Sequence, residues 1–241
     1  MRKVKHLLVG QCCFFINQKS NTAKCQPLTL ALLQGSRTIF AKTKKMRTLK
    51  NNSMRKLKLQ MSITLDGFVA GPNGESDWLT SDDKLLALVH SNASSSDTLL
   101  MGRKMTAEFI QYWENVVNNQ PEDPKYSLAK KLVDIPKIVF SKTVTSIAGK
   151  NVTVENGDLV NVVNKLKAQP GKDILVYGGA AFASSLIKEK LVDEFHFFVN
   201  PFLINKGLRI FELLGEWQKL TLESVTKYDC GVASLVYHLG K

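Results

Sequence analysis

From residue 54 onward the sequence predicts an α/β domain with a mostly parallel central sheet, helices on its faces and an antiparallel hairpin at the end. Three observations predict it. Short apolar runs of strand character alternate with runs of helical period. Two of those strands end in glycine immediately before a helix, at Gly102 and at Gly178-Gly179. Two alternating segments then close the chain around Asp229-Cys230-Gly231.

Residues 56–64 alternate apolar and polar positions, as a strand with one buried face does, and run into the turn pair Asp66-Gly67. Residues 68–78 contain Gly71-Pro72-Asn73-Gly74, too much chain punctuation for regular structure, and form a loop. Thr80-Ser81-Asp82-Asp83 offers helix-capping oxygens, so a helix begins near Ser81 with Leu85, Leu88 and Val89 on its inner face. Residues 97–101 form a strand that Gly102 breaks, and residues 104–110 a helix. The polar stretch 111–126 reads as a surface excursion before a short helix at 127–133. Strands follow at 137–141 and 152–155. A helix at 159–167 turns Leu159, Val162, Val163 and Leu166 inward. The strand 174–177 ends in Gly178-Gly179, and a helix spans 180–190. The most apolar segment, 194–204, is a central strand as far as Asn200, where Pro201 ends regular pairing. Residues 220–227 and 232–239 make the terminal hairpin.

The net charge of +12 and the pI near 9.5 raise the question of a nucleic-acid or membrane partner. Residues 1–53 carry eleven lysines and arginines and no acid, whereas the remainder has 22 basic and 21 acidic residues. The domain is therefore nearly neutral, which removes the electrostatic case for a nucleic-acid-binding domain. No apolar run reaches the roughly 18 residues of a membrane span. The leader allows three readings: an unstructured extension with Met54 as the functional start, an organelle transit segment, or an incomplete secretory signal. Beyond it only Cys230 remains, and His90, His196 and His238 lack ligand spacing, so no metal site is expected.

The two strand-glycine-helix junctions are candidate phosphate seats. A helix start presents free backbone N–H groups and a positive dipole end, and glycine admits a ligand close to the backbone. Arg103 and Lys104 follow the first glycine, and Ser141-Lys142 adds a hydroxyl and a cation at another strand end. Taken singly, such turns are often mere tight connections. Together they suit a dinucleotide carrying an extra phosphate, although Gly178-Gly179 is followed by Ala180-Ala181-Phe182 and the G-x-G-x-x-G fingerprint is absent.

Five segments occur in order: Ser62-Ile63-Thr64-Leu65-Asp66-Gly67, Gly74-Glu75-Ser76-Asp77-Trp78, Leu100-Met101-Gly102-Arg103-Lys104, Gly178-Gly179-Ala180 and Leu191-Val192-Asp193-Glu194. On these residues the chain resembles the dihydrofolate-reductase-like superfamily, nearest to the riboflavin-biosynthesis reductase domain, the C-terminal domain of RibD. The resemblance implies that superfamily's three-layer sandwich and an NADPH cofactor. It implies a seat for the adenosine 2′-phosphate at Gly102, Arg103, Lys104 and Ser141, with Lys142 beside it. The diphosphate would lie on Gly178, Gly179, Ala180, Ala181, Phe182 and Ala183, and Ser62 and Trp78 would flank the nicotinamide. Asp66 and Ser76 match positions near the substrate, and Asp83 falls where the folate branch has its acidic residue, so Asp66 and Asp83 are the candidate catalytic carboxylates. Asp66 also reads as a turn residue, and Asp83 as a helix-start charge favoured by the dipole. Tyr177 stands at a substrate position where the riboflavin enzymes carry an acid. The helix after Asp83 lacks the arginine expected for a phosphoribosyl group, leaving Lys84 or His90 to substitute for it. The resulting expectation is a cytoplasmic, homodimeric NADPH-dependent reductase of a small nitrogen heterocycle, with organelle import left open by the leader. The alternative is a non-catalytic NADPH-binding module.

Overall fold

The computed structural model describes residues 54–240, so the leader and its three readings lie outside the described residues. Strand β1 (Leu57–Thr64) lies at the centre of the sheet and leads through the loop into helix α1 (Asp83–Ser94). The remaining elements are β2 (Ser96–Gly102), α2 (Arg103–Asn119), α3 (Tyr126–Asp134), β3 (Lys137–Phe140), β4 (Val152–Glu155), α4 (Leu159–Ala168), β5 (Asp173–Val176), α5 (Ala180–Lys188), β6 (Glu194–Asn200), β7 (Leu220–Lys227) and β8 (Ala233–Leu239). The eight strands run in the order β4-β3-β2-β5-β1-β6-β8-β7. The first six are parallel to one another, and β8 pairs antiparallel with both β6 and β7.

Two hydrophobic layers sandwich the sheet. On one face, Leu85 and Val89 of α1, Phe109 and Trp113 of α2 and Leu128 and Leu132 of α3 pack on Leu99, Met101, Val139, Leu175, Tyr177 and Phe198. On the other, Val163 of α4 and Ala183, Leu186 and Ile187 of α5 pack on Leu57, Leu59, Met61, Leu100, Ile174 and Val176. Strand alternation sends Leu100 to one layer and its neighbours Leu99 and Met101 to the other.

Several boundaries differ from the sequence reading. Helix α2 does not stop at Ile110 but continues to Asn119, because Thr106, Phe109, Ile110, Trp113 and Val116 form one buried stripe at helical spacing. The polar residues that suggested an excursion are its outer face. Helix α1 begins at Asp83 rather than near Ser81, because Asp82 is the cap and accepts the Leu85 N–H at 2.8 Å. Helix α5 stops at Lys188, and Lys190 takes a left-handed conformation. On α4 the buried residues are Val163 and, unforeseen, Lys167, whose ammonium donates to the Leu191 carbonyl at 3.1 Å and pairs with Asp193.

Candidate functional site

The site follows from topology. Strands β2 and β5 are neighbours, yet α2 leaves toward one face and α5 toward the other, so a crevice opens between their carboxyl ends. The two turns touch there. The Gly102 N–H donates to the Gly178 carbonyl at 3.3 Å. A Cβ on Gly102 would lie 2.7 Å from that of Phe182. Gly179 has a φ of +84°, a left-handed conformation that favours glycine. The Thr106 hydroxyl donates to the Gly102 carbonyl at 3.0 Å and fixes the first of these turns.

Helix capping bears on this edge, although α3, which follows Lys125, also has no side-chain cap and no acid in its first turn. Helices α1 and α4 have aspartate caps, Asp82 and Asp158, each accepting a backbone N–H of the first turn. Helices α2 and α5 are capped by Gly102 and Gly179, with no side-chain cap and no acid in the first turn. Two positive helix ends therefore meet at one crevice with neither a side-chain cap nor a first-turn acid of their own.

A cationic rim borders the crevice. Arg103 and Lys104 are exposed on the first turn of α2 and form no ion pair among the described residues. Just after β3, Ser141 is buried, and its Oγ accepts the N–H groups of Thr143 and Val144, both at 3.1 Å. Both bonds use oxygen lone pairs, so the hydroxyl hydrogen can donate, with Thr143 Oγ1 at 3.5 Å as a nearby hydroxyl partner. Asn156 holds this turn by donating to the carbonyls of Ser141 and Val144 at 2.7 and 2.9 Å. Lys142 is exposed beside it. Phe182 stacks on Phe140, with ring centroids 5.1 Å apart.

The remaining predicted residues lie toward β1. Ser62 is buried on the face of β1 opposite Met61, the same side of the sheet as Tyr177. Tyr177 is only 2% exposed and packs edge-to-face on Phe109 at 5.4 Å, which makes its ring part of the core. Trp78 is buried with no partner for its indole N–H among the described residues. Its segment is tied to β6 by Asn200, whose Oδ1 accepts the Thr80 N–H at 3.0 Å. Ser76 is half-buried and accepts the Leu79 N–H through its carbonyl at 3.0 Å.

The two candidate carboxylates differ in setting. Asp66 accepts the Thr64 hydroxyl at 2.6 Å and the N–H groups of Ile204 and Asn205 at 3.0 and 2.8 Å. The Thr64 bond, with those backbone bonds, holds its carboxyl below the usual carboxylate range. Asp66 is thus an ionised staple between the end of β1 and the segment after β6. Asp83 is exposed, and the acid turned inward at this helix start is Asp82, which also accepts the Cys230 N–H at 3.1 Å. Burial pushes the Asp82 carboxyl up, but these backbone bonds outweigh it and leave it below its ordinary value. Lys84 pairs with Asp229 at 2.9 Å, and His90 Nε2 meets the Ser127 hydroxyl at 3.1 Å, so both side chains already have partners.

Asn156, Asn200 and Arg209 went unread in the sequence. Asn200 had one local signal, its place directly before Pro201, and Arg209 lies two residues after Gly207.

Comparison with known proteins agrees with this architecture. The family model described as the RibD C-terminal domain matches residues 55–234. The uncharacterized protein YyaP of Bacillus subtilis is 34% identical over 188 residues, covering 78% of this chain and 97% of the relative. The solved diaminohydroxyphosphoribosylaminopyrimidine deaminase/5-amino-6-(5-phosphoribosylamino)uracil reductase of Thermotoga maritima superimposes with a TM-score of 0.55 at 17% identity, covering 78% of this chain and 57% of that one. Dihydrofolate reductase of Enterococcus faecalis, solved with NADP(H), superimposes with a TM-score of 0.51 at 13% identity over 77% of this chain and 97% of that one. These structures share the dihydrofolate-reductase-like sandwich. Since the matched span contains both glycine turns, the cationic rim and the segment holding Trp78, the chain belongs to the RibD C-terminal domain family.

Proposed function

We propose that this protein is an NADPH-dependent reductase of a small nitrogen heterocycle, of the pterin or aminopyrimidine type. The observation that carries the reading is the pair of adjoining helix starts at the β2–β5 crevice, both capped by glycine and free of acid. A dinucleotide phosphate fits that donor set: anionic oxygens satisfy the free N–H groups, and glycine lets them approach. In this reading Gly102, Arg103, Lys104, Ser141 and Lys142 hold the 2′-phosphate. Gly178, Gly179, Ala180, Ala181, Phe182 and Ala183 hold the diphosphate, and the stacked Phe140–Phe182 pair offers the adenine a flat apolar wall.

The bound cofactor supplies a hydride, and the protein supplies orientation and dryness. Ser62 and Trp78 flank the nicotinamide, where the Trp78 indole N–H is a buried donor awaiting an acceptor. Ser76 and Asp83 border the substrate, and Tyr177 backs that side from within the core. Asp66, held ionised, fixes the segment after β6 against β1 and so positions the substrate end. The protein acts in the cytoplasm as a homodimer. The apolar side of its outermost strands, with Leu222 and Val225 half-exposed on β7, is the surface on which a second copy would pack.

Titrating the full chain with NADPH and NADH, then following NADPH oxidation with a panel of pterins and aminouracils, tests the proposal. Preferential NADPH binding with turnover of one class is the expected result. Binding without turnover across the panel would favour a dinucleotide-binding module, a reading to which the core position of Tyr177 lends weight. Binding of neither dinucleotide would overturn the proposal.

A further inference from the structure

A second cavity adjoins the crevice on the α5 side. Its volume is about 220 Å³, and its walls are Ala180, Ala181 and Ser184 of α5 and Gly207, Leu208, Arg209, Glu212 and Leu213 of the segment after β6. That is below the roughly 300 Å³ at the lower end for whole small-molecule sites. It therefore suits one part of a larger ligand. Ala180 and Ala181 open α5 directly after Gly178-Gly179, so the cavity begins where the diphosphate is proposed to sit.

Three features of this cavity await a ligand. The first turn of α5 has no side-chain cap. The Ser184 hydroxyl is buried without a hydrogen-bond partner among the described residues, although Ser184 lines the cavity. The Arg209 guanidinium lies over the Phe68 ring, 4.4 Å from its centroid, and forms no ion pair among the described residues even with Glu212 on the same wall. Stacking on Phe68 holds a planar cation in place without neutralising it.

We infer that Arg209 is the counter-charge for the dinucleotide's diphosphate, and that Ser184 donates to the same ribose-diphosphate stretch from inside the cavity. The inference rests on the cofactor reading above and deepens it. The two cationic seats divide the work: Arg103 and Lys104 take the phosphate that distinguishes NADPH from NADH, and Arg209 takes the diphosphate that the two share. Charge-assisted, bidentate pairing is what an arginine offers a phosphate and a lysine does not.

The test compares the full-length wild type with Arg209→Ala, Arg209→Lys and Ser184→Ala in titrations with NADPH, NADH and adenosine 2′-monophosphate, which carries no diphosphate. Arg209→Ala should weaken NADPH and NADH alike, by about 10- to 100-fold, and leave adenosine 2′-monophosphate unchanged. Arg209→Lys should recover part of the loss. Ser184→Ala should weaken both dinucleotides by about 3- to 10-fold while the unfolding temperature of the free protein holds or rises, because it removes an unsatisfied buried hydroxyl. Unchanged binding by Arg209→Ala would overturn the inference and leave the cofactor reading standing. Loss for NADPH alone would move Arg209 to the 2′-phosphate seat and also overturn it. If the wild type binds neither dinucleotide, the cofactor reading itself has failed, and the inference falls with it.

Discussion

Arg103 and Asp66 show what a residue reveals by its neighbours in sequence and what it hides. Arg103 follows a glycine that ends a strand, so its place at a helix start was legible locally, and the structure leaves it exposed there without an ion-pair partner among the described residues. If it pairs with the 2′-phosphate, Arg103→Ala should cost about 1.5–3 kcal/mol of NADPH binding, roughly 10- to 100-fold, with NADH affinity unchanged. Calorimetric titration with both dinucleotides checks this, and an equal loss for the two would make Arg103 a structural residue. Asp66 was legible as a turn residue, but its partners Ile204 and Asn205 lie at the far end of the chain. No spacing rule reaches across that separation. Arg209 was hidden for the same reason, since its value lies in a ring, Phe68, contributed by another segment.

Elements with strong local punctuation were read correctly, and those defined by burial alone were not. The strand-glycine-helix junctions, the break at Pro201 and the terminal hairpin follow from turn chemistry that acts within a few residues. The second half of α2 carries Gln111, Glu114, Asn115, Asn118 and Asn119 among its apolar stripe, so its polarity outvoted Trp113 and Val116 in the sequence. Only the receiving surface of the sheet decides such a helix. The same packing yields a prediction at the contact between α2 and α5. Gly102 has an ordinary extended backbone, φ −86° and ψ 141°, so alanine there meets no backbone strain. Its Cβ would instead lie 2.7 Å from that of Phe182 and push the two helix starts apart. Gly102→Ala should destabilise the protein by about 1–3 kcal/mol, read as a lower denaturation midpoint at unchanged slope. It should weaken NADPH binding as well. A midpoint equal to wild type would mean that the contact relaxes freely.

For the whole molecule, a buried polar network at the end of the sheet opposite the crevice is expected to contribute to the acid limit of stability. Glu194 bonds His196 Nε2 at 3.2 Å and Lys56 at 2.6 Å, Lys58 bridges it to Asp173, and His196 and Gln60 face Asn92. The bond to His196, joined by Lys56 and Lys58, outweighs burial and holds the Glu194 carboxyl far below its ordinary value of 4.5. In that interval the folded protein binds fewer protons than the unfolded chain, so its stability rises with pH. The contribution of Glu194 is complete above about pH 4.5 and is lost as the pH falls below it. Glu194→Gln should cost about 1–3 kcal/mol at pH 7 and flatten the acid limb of a stability–pH curve. An acid limb as steep as that of the wild type would assign it to other carboxylates. On the outer side, Leu213, Trp217, Leu222 and Val225 are 48%, 102%, 49% and 59% exposed, and the outer edge of β7 has no strand partner among the described residues. If a second copy covers β7, Trp217→Glu combined with Val225→Glu should halve the mass seen by sedimentation. A mass unchanged from a dimeric wild type would locate the contact elsewhere.

The staple from Asp66 to the segment after β6 closes a span of 138 residues. Drawing together the ends of so long a flexible chain costs roughly 4 kcal/mol in entropy, whereas the bonds to Ile204 and Asn205 return about 1 kcal/mol each. The staple cannot hold the loop by itself. It forms because β1 and β6 are already paired along seven residues, which brings the two ends within reach at no further cost. The segment that Asp66 holds, and the loop joined to it through the Ala70–Leu208 bridge, are therefore placed by the sheet: the pairing of β1 with β6 is the frame on which the stretch leading to Ser76 and Trp78 is hung.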